Sequence, residues 1–197
     1  MALLFKSLVN TYIVKDNIVS IFKKAELLQT EEVEEILLEL VTAIAITLQV
    51  DRCFLYVRDP QTRLGQATFC YCKNPQVLDV SSHQWKKERS ENLEAIDPMF
   101  AAALNCQPSI YVEDVEIANP VIVNRDFEAR EFGHRALIHA HLCQDGKLWG
   151  ILQPCVFNRS RKWTTEDRQI IEMVVSKAVP YVKKYVLTNR PQINKPL

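Results

Sequence analysis

The chain has 197 residues, 48% hydrophobic and 24% charged, which suits one globular domain of ordinary size with peripheral helices. Its 24 Lys and Arg balance its 24 Asp and Glu, and a zero formal charge argues against a nucleic-acid footprint or a polybasic membrane patch. The opening MALLFKSLVN lacks a basic leader and a small-residue cleavage site. The longest apolar run, 36–50, is interrupted by Glu39 and falls short of the about 20 residues that span a bilayer, so a cytoplasmic chain without membrane insertion is expected.

In chain order, residues 2–28 have helical periodicity. Leu4, Phe5, Leu8, Val9 and Tyr12 form one stripe, and Ile18, Ile21, Phe22 and Ala25 a second, with a polar break at Lys15-Asp16-Asn17. A further helix starts at an N-cap, Thr30, with Glu31 and Glu32 where the helix dipole favours negative charge, and aligns Val33, Leu37, Leu40, Ile44 and Leu48. After Asp51 the texture changes. Cys53, Leu55 and Val57 alternate with Phe54 and Tyr56, the pattern of a strand buried on both faces. Asp59-Pro60-Gln61-Thr62 predicts a turn and residues 64–72 the return strand. Residues 73–96 are polar and irregular, a long excursion. Asp97-Pro98 places a capping residue before a proline and predicts a short helix over 98–105. Residues 109–113 read as a strand, and Asp126 as the cap of a short helix stopping at Gly133.

Strands over 135–143 and 148–157 flank Gln144-Asp145-Gly146-Lys147, whose Asp-Gly pair signals a hairpin. Thr164 with Asp167 predicts a capping box for a long helix through Ile170, Ile171, Val174, Val175, Ala178, Val182 and Val186, kinked at Pro180. The polar tail, 189–197, holds two prolines and is expected to be disordered. This order predicts an α+β fold with antiparallel strands and the long helices on one face. It divides the chain into a helical extension, 1–29, a domain, 30–188, and the tail.

No catalytic motif stands out, and four glycines supply no phosphate-cradling loop. Cys53, Cys70, Cys72, Cys106, Cys143 and Cys155 are scattered and read as small core residues of a reduced protein, with Cys70 and Cys72 a buried same-face pair. His139, His141 and Cys143 alternate on one strand. Their types suit a metal, but a fourth ligand is not evident, so the two histidines are expected on a partly solvated sheet face and no metal is assigned. His83 and His134 fall in loops. Arg159-Ser160-Arg161-Lys162 reads as a solvated basic cluster.

The last hairpin carries a resemblance. Gly146-Lys147-Leu148-Trp149-Gly150-Ile151-Leu152, then Arg161-Lys162-Trp163 and the acidic start of the last helix at Glu166, resembles the C-terminal half of GAF domains, most of all the bilin-binding GAF domains of cyanobacterial phytochromes and cyanobacteriochromes. Arg135-Ala136-Leu137-Ile138 resembles the family's preceding strand, and Asp114 its strand-ending Asp. The resemblance implies a GAF-like antiparallel sheet and a cyanobacterial or plastid, photosynthetic setting. In the family a Cys-His pair upstream of the Arg-Ala strand attaches the bilin by a thioether. Asn124-Arg125 stands in its place, and Cys155 stands where a further histidine is expected. Covalent attachment is therefore not expected. Asp114, Asn124, Arg125 and Cys155 would line a remnant pocket, with no cofactor or with a bilin held non-covalently.

The resemblance implies a stand-alone, non-catalytic regulatory or assembly protein, without a kinase, cyclase or DNA-binding output, acting by contact with another protein or as a homodimer. A sensor holding a bilin, nucleotide or other small molecule is the first alternative, and a thiol redox enzyme the second. The expected interface is the apolar stripe Val175, Val179, Val182 and Val186 on the last helix with Leu4 and Leu8 on the first.

Overall fold

The computed structural model describes residues 17–26, 33–88 and 93–191. Helices are α1 (residues 17–26), α2 (Val33–Thr47), α3 (Leu93–Ile96), α4 (Pro98–Leu104), α5 (Arg125–Glu131) and α6 (Thr165–Asn189). Strands are β1 (Arg52–Asp59), β2 (Leu64–Cys72), β3 (Lys86–Lys87), β4 (Ile110–Val112), β5 (Ala136–Gln144) and β6 (Lys147–Val156). They form one antiparallel sheet in the order β3-β2-β1-β6-β5-β4. The tight β5–β6 hairpin turns on Asp145 and Gly146, both at positive φ (55° and 66°), the backbone that an Asp-Gly pair tolerates best.

Alternation along the strands sends one set of side chains to each sheet face. Leu55, Ile138 and Leu152 face a core shared with Ile18 and Phe22 of α1, Leu37, Leu40 and Ile44 of α2, and Val174 of α6. The expected helical layer on one face is present, and the described part of the N-terminal extension packs into the same core. Leu4 and Leu8, like the cap Thr30, lie outside the described residues.

The capping box at Thr164 forms as expected: its Oγ1 accepts from Asp167 N, and Asp167 accepts from Thr164 N. Pro180 sits inside α6, which runs unbroken from Thr165 to Asn189. The basic loop before it is largely solvated, as expected, with Arg159, Ser160 and Lys162 exposed, and the half-buried Arg161 staples it to the core. Arg161 donates to Leu48 O at the end of α2, pairs with Asp167, and stacks over Trp163, whose Nε1 donates to Val112 O on β4. Arg159 pairs with Asp51.

Three sequence expectations are corrected. The cap of α5 is Asn124, whose side chain accepts from Phe127 N at 3.1 Å, and not Asp126. The long excursion is interrupted by β3 and α3. The valine stripe is no free interface: Val179, Val182 and Val186 are 5%, 0% and 0% exposed in the chain's own core, with only Val175 partly open. The periodicity that marks an apolar face is the same whether that face meets the sheet or another protein.

Candidate ligand cavity

The other sheet face carries a cavity of about 440 Å³ between the strands and the short helices. Its floor is Phe54 and Tyr56 of β1, Ile151 and Gln153 of β6, and His139 of β5. Its roof is Met99 and Phe100 of α4 with Phe127, Glu128 and Phe132 on and just after α5. Leu78, Asp79 and Val80 close one side, and Lys86 and Lys87 stand exposed at another. Gly65 is required here, since a Cβ would overlap the Tyr56 hydroxyl that lies across it. Burial raises the Tyr56 phenol to about 12, so it stays protonated.

The roof is set by its caps. Asp97 caps α4 by accepting from Met99 N at 2.9 Å, with Pro98 at the first helical position. Asn124 caps α5 and also donates to Ile96 O at 2.9 Å, tying α5 to the end of α3, one residue before the Asp97 cap of α4. A side-chain cap of this kind stabilises by about 1 kcal/mol.

His139 and His141, expected on a partly solvated face, are both 4% exposed. Burial pushes both imidazoles below the usual histidine range, so both are neutral. Their protons then follow from one carbonyl. His141 Nδ1 lies 2.7 Å from Gln107 O, which only accepts, so Nδ1 carries the proton and Nε2 is bare. His139 Nδ1, 2.9 Å from that Nε2, must donate. His139 Nε2 is left as a bare acceptor, without a partner among the described residues, on a side chain that lines the cavity.

A second buried group sits beside it. His134 Nδ1 pairs with Glu128 Oε1, and Arg52 Nη2 donates to His134 Nε2 at 2.6 Å. Burial opposes a charge on His134, while Cys155 and Glu128 favour one. A protonated ring would set Nε2–H against Arg52, which has only donors, so we assign the neutral ring with Nδ1–H given to Glu128. Glu128 is 1% exposed, and its Oε2 has no partner. The cavity therefore offers aromatic surface and hydrogen-bond acceptors.

None of the four pocket residues expected from sequence lines this cavity. Asn124 supports its roof. Arg125 donates to Glu116 O. Asp114 pairs with Arg135 and borders a separate recess of about 230 Å³. Cys155 is fully buried, its Sγ 3.5 Å from Arg52 O. No cysteine is among the lining residues. Of the residues that do line the cavity, His139 was visible in sequence only as part of an alternation; the burial of β5 by α4 and the 107–109 segment was not.

A family model described as the GAF domain matches residues 32–179, and the chain belongs to that family. Solved structures share the fold at low identity. The phycocyanobilin-bound GAF domain of a cyanobacterial phytochrome is 14% identical, with a TM-score of 0.66, covering 92% of this chain and 98% of that one. The GAF domain of an Acinetobacter phosphoenolpyruvate-protein phosphotransferase is 10% identical, with a TM-score of 0.64 over 91% and 96%. The free methionine-R-sulfoxide reductase of Neisseria meningitidis, in complex with its substrate, is 12% identical, with a TM-score of 0.63 over 90% and 93%. A search of curated protein sequences finds no match.

Proposed function

We propose that this GAF domain is a regulatory sensor that holds a small planar molecule non-covalently in the cavity and signals by contact with another protein. The bare Nε2 of buried His139 carries the reading, because an unpaired acceptor in an aromatic-walled cavity calls for an N–H or O–H donor on whatever fills it. Lys86 and Lys87 at the mouth suit an acidic substituent. A bilin has this chemistry: its pyrrole nitrogens donate, its rings are planar and its propionates are acidic. Structural neighbours bind phycocyanobilin, phycoerythrobilin and biliverdin. The cysteine-free lining supports reversible binding. It also weighs against thiol chemistry on a bound ligand, since burial pushes Cys70, Cys72 and Cys143 above the usual thiol range.

Adding phycocyanobilin or biliverdin to the purified protein should shift the bilin absorption band. The pigment should separate from the chain on a denaturing gel, leaving no zinc-fluorescent band. His139→Leu should weaken binding by tenfold or more while the melting transition stays cooperative. Absence of any spectral shift, together with no small molecule released on acid denaturation of protein isolated from its own host, would overturn the reading. For the output, the outer side of α2 carries Leu38 and Ile46 at 47% and 59% exposure, an apolar surface suited to a partner or a second copy.

A further inference from the structure

Cys70 and Cys72 depart most from their expected role. They are partly exposed, not buried, on the cavity face of β2 beyond the two residues that β3 covers. Their sulfurs stand 3.8 Å apart. Two thiolates at a zinc–sulfur distance of about 2.3 Å and a tetrahedral angle stand about 3.8 Å apart, so the pair already spans one edge of a thiolate coordination shell. The 73–85 segment folds back and brings in Asp79, with one carboxylate oxygen and both sulfurs all within 4.8 Å of one another. Among the described residues this is the one such group of three.

We propose that Cys70, Cys72 and Asp79 form a binding site for a thiophilic divalent cation of the zinc type, with a fourth position open to water. Two thiolates, one carboxylate and a divalent ion leave one net negative charge. Arg52 is placed to balance it: it is the cross-strand partner of Cys72, and its Nη1 donates to Leu78 O next to Asp79 at 2.8 Å. Burial raises both thiols, so without an ion they stay protonated, and binding must release protons. Leu78, Asp79 and Val80 also line the cavity, so an ion here would fix one cavity wall to β2. The site does not depend on the cavity's ligand, and an empty cavity would leave it intact.

The test is titration of the reduced full chain with Cd²⁺, read by the ultraviolet thiolate-to-cadmium charge-transfer band and by calorimetry in two buffers of different ionisation enthalpy. One ion per chain and a net release approaching two protons are expected. Cys70→Ser and Cys72→Ser should abolish the band. Asp79→Asn, at an exposed loop position that leaves the strand undisturbed, should weaken binding about tenfold without changing the melting temperature of the ion-free protein. Cys106→Ser and Cys143→Ser, at the other neighbouring thiol pair, should bind Cd²⁺ as the parent does. Undiminished binding in Cys70→Ser or Asp79→Asn, or its loss in the Cys106 and Cys143 variants, would overturn the assignment.

Discussion

Asp97 is where two demands on one side chain conflict. Its carboxylate caps α4 and so prefers the charge, yet it is 7% exposed on the cavity side, and burial outweighs the cap and raises its pKa to about 6. An unfolded Asp titrates near 3.9, so as the pH falls the folded state takes up this proton first. The group's contribution to stability is therefore full below about pH 4 and is lost as the pH rises through 6. Asn caps nearly as well and carries no charge. Asp97→Asn should thus be more stable than the parent at pH 7 by about 3 kcal/mol, a gain that shrinks to nothing near pH 4. Urea unfolding of both proteins at pH 4, 5, 6 and 7 measures it. The difference between the two curves isolates Asp97 from His139 and His141, whose lowered pKa values make stability fall as the pH drops below the usual histidine value. A variant less stable than the parent at pH 7 would show that the charged cap prevails.

At the scale of elements, α6 and β6 approach as closely as their residues allow. A Cβ at Gly150 would lie 2.7 Å from Tyr56 O and 3.3 Å from Val182 Cγ1, so Gly150→Ala must push α6 off the sheet or spread β1 from β6, at a cost of about 1–3 kcal/mol. Val182→Glu is more severe, because it buries a charge with no partner in a fully enclosed position. We expect it to abolish cooperative melting followed by circular dichroism, whereas a ridge free to dock another chain would accept the charge and stay folded. The elements themselves were legible where a local rule dominates. Asp97-Pro98 marked α4, Asp145-Gly146 the hairpin, Thr164 and Asp167 the start of α6, and the stripe from Ile18 to Ala25 the buried face of α1. Asp126 misled because Asn124, two residues earlier, fills the same role. β3 was missed because two exposed lysines carry no strand pattern; their pairing with Leu64 and Gly65 is a tertiary event. The cavity was illegible for a related reason. Phe54, His139, Gln153, Met99 and Glu128 come from five elements, and no spacing within any one of them records that they meet.

For the whole molecule, what remains on the surface decides how the domain associates. With zero formal charge and an isoelectric point near 6.9, the chain has little electrostatic repulsion to keep copies apart at neutral pH. Its C-terminal valines are consumed by its own core, so any contact must use another surface. On α2, Leu38 and Ile46 are eight residues apart with the half-buried Thr42 midway between them, which places all three on one side of the helix, away from the Leu37, Leu40 and Ile44 face that meets the sheet. A charge at an exposed site costs the fold little, usually within about 0.5 kcal/mol, but would be desolvated on association. Leu38→Glu and Ile46→Glu should therefore melt at the parent's temperature while shifting sedimentation from dimer toward monomer, or breaking capture of a partner. Analytical ultracentrifugation with circular dichroism on the same samples reads both. A parent that sediments as a monomer at high concentration, and whose partner binding is unchanged in both variants, would exclude α2 as the contact. A fall in melting temperature would show instead that α2 is covered within the chain.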